Sequence, residues 1–104
     1  MTGAWRCTPC RWTSGAALCR AQEIPLHLDA VQAVGQLELA LDGVDLLSAS
    51  AHKFGGPKGI GFLYARQPRM LHPLIFGGNQ QQGLRPGTEP VAQIVGLARA
   101  LEVA

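Results

Sequence analysis

The stretch VDLLSASAHKFGGPKGIGFLYA, from Val44 to Ala65, constrains the fold more than any other part of the chain. Val44-Asp45-Leu46-Leu47 begins as a buried strand, yet Ser48, Ser50, His52 and Lys53 follow where a core strand stays apolar. Gly55-Gly56-Pro57-Lys58-Gly59 then forces a bend, and Gly61-Phe62-Leu63-Tyr64-Ala65 has the composition of the next strand. The pattern predicts strands over 44–51 and 59–65 joined by a glycine-rich turn. A lysine at the exit of a buried strand is either a solvated side chain or one placed there for chemistry.

The flanking sequence supplies the rest of an α/β pattern. Residues 1–14 carry Gly, Pro, Ser, Thr and two Trp without a usable period and are expected to be irregular. Ala16 to Gln22 reads as the end of a helix stopped before Pro25. Ile24 to Ala30 alternates apolar and polar residues, which predicts a short strand whose last polar residue is Asp29, with a helical turn from Val31 to Gly35. Pro73 to Phe76 is a candidate fourth strand, followed by the polar loop Asn79 to Gly87. Thr88 is placed to cap a helix with Glu89 and Pro90 in its first turn. Val91, Ile94, Val95, Ala98 and Leu101 then form the stripe of a helix packed on a sheet. Strands separated by helices, with polar residues at strand exits, predict an α/β sheet with a site at its carboxyl edge.

Composition narrows the function. The chain has 104 residues, 47% of them hydrophobic, and a formal net charge of +2, which suits one soluble domain or part of one. That charge, without a Lys/Arg stripe, argues against nucleic acid. No apolar run approaches the ~20 residues that cross a bilayer. The N-terminus lacks the apolar core of a secretory signal, so the expected compartment is cytoplasmic. Cys7 and Cys10 form a CxxC, but its neighbours have neither the strand-helix context of a redox motif nor the second ligand pair of a zinc site. With Cys19 they are expected to be incidental, and no metal is expected.

Asp29 and Lys53 suggest a particular chemistry when taken together. A lysine amine condenses with aldehydes, and pyridoxal phosphate is the cofactor that exploits this. It needs a carboxylate at its ring nitrogen and donors around its phosphate. Asp29 ends one strand and Lys53 follows the next; in one sheet both reach the same crevice. Ser50 and His52 are placed to bind phosphate, the Gly55-Gly56 bend lets backbone approach, and Gln32 lies one turn past Asp29. Singly, each residue has a plainer role: Asp29 as a turn residue, Lys53 as a solvated side chain, Ser48 and Ser50 as small strand residues, Arg85 in a loop and Thr88 as a cap. Their joint occurrence favours the site.

From Leu26 onward the chain resembles the cysteine desulfurases and selenocysteine lyases, pyridoxal-phosphate enzymes of the class V aminotransferase group. The resemblance is carried by LHLDAVQAVGQ, GVDLLSASAHKFGGPKGIGFLYAR and FGGNQQQGLRPGTEPVAQIVGLARAL, about four-fifths of the chain. It implies that residues 15–104 are part of the large cofactor-binding domain of a fold-type-I enzyme. Lys53 would carry the cofactor and move protons, Asp29 would pair with the ring nitrogen, Gln32 with the phenolic oxygen, and Ser50 and His52 with the phosphate. Members are homodimers in which the threonine matching Thr88 reaches the partner's phosphate site, with Arg85 near the substrate entrance. The implied reaction converts cysteine, or selenocysteine, to alanine and passes sulfur as a persulfide to an acceptor protein, as in iron–sulfur cluster assembly.

Family members are several times longer. Their phosphate loop, ring-stacking His, sulfur-accepting Cys and carboxylate-binding Arg have no counterpart in these 104 residues, and Cys7, Cys10 and Cys19 do not match the sulfur acceptor. The expectation is therefore a central piece of such an enzyme, with open sheet edges and poor stability alone. Other readings are another class V enzyme (an aminotransferase or kynureninase-like hydrolase), a non-catalytic remnant, or a small redox or metal module built on the cysteines.

Overall fold

Alternation sets the sheet. In the computed structural model, which describes residues 12–104, Leu47 and Ala49 are buried while Leu46, Ser48 and Ser50 are half-buried, so strand β2 (Leu46–Ser50) turns one face inward. Strand β1 (His27–Asp29) pairs with it in parallel, Asp29 opposite Ser48. Strand β3 (Gly61–Ala65) returns antiparallel on its other side, Ser50 opposite Gly61. The order β1-β2-β3 makes a small mixed sheet. The piece of parallel sheet expected from the sequence is thus limited to β1 and β2; β3 reverses because its link from β2 is a short bend rather than a helical crossover.

Two helices complete the described chain. Helix α1 (Trp12–Ala21) takes in Trp12, Thr13 and Ser14, which the sequence assigns to the irregular segment. Helix α2 (Val91–Val103) packs against the 3-10 turn Ala51–Phe54 that follows β2. Ala30, Val34, Val44, Leu47, Ala49, Ala51, Phe54 and Ala100 form the core, on the face of the sheet to which Leu47 and Ala49 turn. The slab is only 15 Å through its thinnest direction, room for the sheet and one covering layer. The other face, bearing His27, Asp29, Ser48, Ser50 and Leu63, is left open among the described residues.

Several expectations are corrected. The strands are shorter than predicted, and Pro73 to Phe76 is coil: it pairs with no strand, and Leu74 and Phe76 are 93% and 84% exposed. Thr88 does not cap α2. The cap position is Pro90, and the Thr88 side chain is exposed. Most of the predicted apolar stripe faces away from the core, with Val91, Val95 and Leu101 exposed and Ile94 half-buried, while Gly96, Leu97 and Ala100 make the packed side. α2 sits close to the turn through small residues, which a search for large apolar side chains overlooks.

A polar clip holds the amino ends of β1 and β2 to the carboxyl end of β3. Asp45 Oδ2 accepts the Leu26 N–H at 2.9 Å, while Arg66 donates to the carbonyls of Val44 (3.0 Å) and Leu41 (2.9 Å). Replacing Asp45 with Ala leaves that half-buried N–H without its acceptor, so unfolding in urea is expected to show a loss of about 2 kcal/mol. An unchanged midpoint would remove Asp45 from the clip.

Candidate functional site

Parallel pairing brings two strand exits to one edge. β1 ends at Asp29 and β2 at Ser50, and the Ala30 N–H donates to Ser48 O at 2.9 Å, so the carboxyl ends of both strands lie side by side. Beyond Ser50 the chain turns once, Ala51 to Phe54, with apolar Ala51 and Phe54 buried and polar His52 and Lys53 turned outward. Gly55 ends that turn at φ 85°, a left-handed conformation that a side chain resists. The local sequence therefore folds as it does because two apolar anchors bracket the pair His52-Lys53.

At this edge Ser50 Oγ and His52 Nδ1 share a hydrogen bond of 2.9 Å, and Lys53 is half-buried beside them. Asp29 is exposed, and its Oδ1 accepts the Val31 N–H at 3.1 Å, which holds the carboxyl at the start of the next turn. Gln32 lies exposed in that turn. Neither Asp29 nor Lys53 forms an ion pair among the described residues. The edge thus presents one primary amine, one carboxylate, one hydroxyl–imidazole pair and one amide, all open to an incoming molecule.

His27 is a further polar residue at this site that sequence reasoning missed. Its Nε2 lies 3.1 Å from Ser48 Oγ, on the face that also carries Asp29. Its place two residues before Asp29 in an alternating strand was the available signal.

Arg85 and Thr88 are not part of this cluster. They line a groove of about 1000 Å³ along β3 with Phe62, Leu63 and Ile75, and none of Asp29, Gln32, Ser50, His52 or Lys53 lines it. The Arg85 guanidinium donates to the Pro86 carbonyl in its own loop. The loop around them is braced by Gln81 donating to Glu89 Oε1 at 2.5 Å and by the Gly87 N–H donating to Gln80 Oε1 at 3.2 Å. Cys7 and Cys10 lie outside the described residues, and Cys19 is a free thiol on α1. No group of three metal-ligating side chains occurs among the described residues, and no helix there is long and apolar enough to cross a membrane.

Comparison with known proteins gives a consistent result. The family model Aminotransferase class-V matches residues 13–104. A cysteine desulfurase IscS of Dictyoglomus turgidum is 52% identical over 89 residues, spanning 84% of this chain and 23% of that protein. A cysteine desulfurase of Cereibacter sphaeroides is 56% identical over 80 residues, 75% of this chain and 21% of that protein. Among solved structures, SspA in complex with cysteine superposes with a TM-score of 0.78 at 47% identity, covering 84% of this chain and 26% of that one. A NifS-like protein superposes with a TM-score of 0.74 at 50% identity, covering 79% and 23%. The chain spans about a quarter of the length of the curated relatives it matches. Fold and sequence agree: the chain belongs to the class V aminotransferase family and is similar, within it, to the cysteine desulfurases.

Proposed function

We propose that residues 15–104 form part of a pyridoxal-phosphate site that serves desulfuration of cysteine. The observation that carries this is the common edge of β1 and β2, where Asp29 ends one strand and Ser50, His52 and Lys53 follow the other. The donor set fits the cofactor: an amine for its aldehyde carbon, a carboxylate for its ring nitrogen, and a hydroxyl and imidazole for its phosphate. Bound there, pyridoxal phosphate supplies an electron sink for the bonds broken at the substrate's α-carbon.

The chain's own residues do the rest. Lys53 Nζ anchors the cofactor, yields to the substrate amine and then holds the proton taken from the α-carbon. Asp29 keeps the ring nitrogen protonated. Ser50 Oγ–H and the His52 ring donate to the phosphate, and Gln32 donates to the phenolic oxygen. Sulfur leaves as a persulfide on a thiol outside Cys7, Cys10 and Cys19, so cysteine plus that thiol becomes alanine plus persulfide. Selenocysteine is the alternative substrate of the same chemistry, and a sulfur-acceptor protein for iron–sulfur cluster assembly is the partner this product calls for.

Arg85 and Thr88 serve the site of a second copy. They line a groove that takes in none of the Lys53 cluster, which supports this, as does the exposed, polar character of their loop. Hybrids pairing a Lys53→Ala chain with a Thr88→Ala chain test it: acting in trans, the loop leaves one site with both defects and the other with neither. Two sites with one defect each would show that it acts within its own chain.

The reaction is tested by following alanine from cysteine with added pyridoxal phosphate, in a protein of the relatives' full length that carries this chain. Asp29→Asn is expected to keep cofactor attachment and lower turnover on the order of 100-fold, because a neutral amide no longer stabilises charge on the ring. Unchanged turnover would remove Asp29 from the site. Pyruvate or transaminated product in place of alanine would shift the reaction to another class V chemistry. The 104-residue chain alone is expected to form no alanine above the free-cofactor control.

A further inference from the structure

We propose that Gly96 and Pro57 are positioning residues that seat the Lys53 turn against helix α2, a role that rests on the pyridoxal reading of Lys53. The turn has little structure of its own. It is a single 3-10 turn, closed by the Gly56 N–H donating to Ala51 O at 2.8 Å. Its support comes from α2, whose Ala100 is buried in the same core as Ala51 and Phe54.

The contact that sets its position is a notch. A Cβ built on Gly96 would lie 2.9 Å from Pro57 Cγ and 3.3 Å from Pro57 Cδ, so the proline ring occupies the space that a side chain at 96 would take. A proline ring can shift its Cγ a few tenths of an ångström by changing pucker but cannot swing aside as a long side chain does, because it is closed onto its own backbone with φ fixed. A methyl at position 96 must therefore push the backbone between Lys53 and Lys58. Phe54 also lies close against Gly35, where a Cβ would come within 2.5 Å of Phe54 Cβ, so the turn is hemmed in on that side as well. The same substitution favours the helix, because Ala is a better helix former than Gly. Helix and site thus respond to Gly96→Ala with opposite signs.

The test uses the full chain in a Lys58→Arg background, which leaves Lys53 as its one lysine. Covalent capture of pyridoxal phosphate is followed by absorbance, with borohydride trapping to place the label, and circular dichroism reports the helix. Gly96→Ala should keep or raise the helical signal while slowing capture at Lys53 on the order of tenfold, as expected when a reacting group is displaced by a fraction of an ångström to one ångström. Adding Pro57→Ala removes the ring that the methyl strikes and should return capture to the parent's rate. Pro57→Ala alone empties the notch and should slow capture, which keeps the test intact if Gly96→Ala does not fold. Capture at the parent's rate in a folded Gly96→Ala chain or in Pro57→Ala, or a double variant as slow as the single, would overturn the positioning role. A Lys58→Arg parent that captures no cofactor would instead contradict the pyridoxal reading of Lys53, and the positioning role with it.

Discussion

Lys53→Ala is expected to abolish covalent capture of pyridoxal phosphate and to lower cysteine turnover about 10⁴-fold in a protein of the relatives' full length, since it removes both the anchoring amine and the proton carrier. Lys53→Arg should fail equally: it keeps the positive charge but has no amine that condenses with an aldehyde. Lys58→Ala should retain capture. Lys58 is exposed in the Gly-rich bend, beyond the turn that apolar Ala51 and Phe54 anchor, whereas Lys53 is half-buried within it. The measurement is absorbance of the protein after gel filtration with the cofactor. Capture persisting in Lys53→Ala would move the anchoring lysine elsewhere.

The largest effect on stability is expected at Gly61. A Cβ there would lie 2.3 Å from the carbonyl oxygen of Ala49, a backbone atom held in the sheet. Gly61 pairs with Ser50, so the first residue of β3 is packed directly onto the exit of β2. Gly61→Ala must separate the two strands locally, at a cost of about 3 kcal/mol. For a domain of this size that is roughly 12–24 °C in Tm, read by calorimetry. Because Ser50 is displaced too, cofactor affinity should fall in the fraction that stays folded. A variant that melts with the parent would mean that β2 and β3 are not paired at this register.

The strand exits were legible in the sequence because polar residues break the apolar pattern there. Ser48, Ser50, His52 and Lys53 interrupt an apolar run, and Asp29 closes an alternating one; parallel pairing of β1 and β2 then places both ends at one edge. Helix α2 was legible as a helix but not in its orientation. Val91 and Val95 suggested the buried side, whereas the contact is made by Gly96, Leu97 and Ala100. Hydrophobic periodicity weighs large side chains, and close packing through glycine and alanine leaves little trace in it. The fit of Pro57 into the Gly96 notch was invisible for a related reason, since it depends on two segments far apart in the chain. Pro73 to Phe76 shows the converse. Its composition suits a strand, but a strand exists only where a neighbour pairs with it, and none does among the described residues.

The central claim is that the carboxyl edge of β1 and β2 is a pyridoxal-phosphate site anchored on Lys53, and peptide mapping tests it most directly. A protein of the relatives' full length that carries this chain is incubated with pyridoxal phosphate, reduced with borohydride, digested and mapped by mass spectrometry. Two lysines compete in one short segment, Lys53 and Lys58, so the chain carries its own internal control. The pyridoxyl group is expected on Lys53, with Lys58 labelled no faster than a free lysine. A label on Lys58, or one divided evenly between the two, would contradict the site.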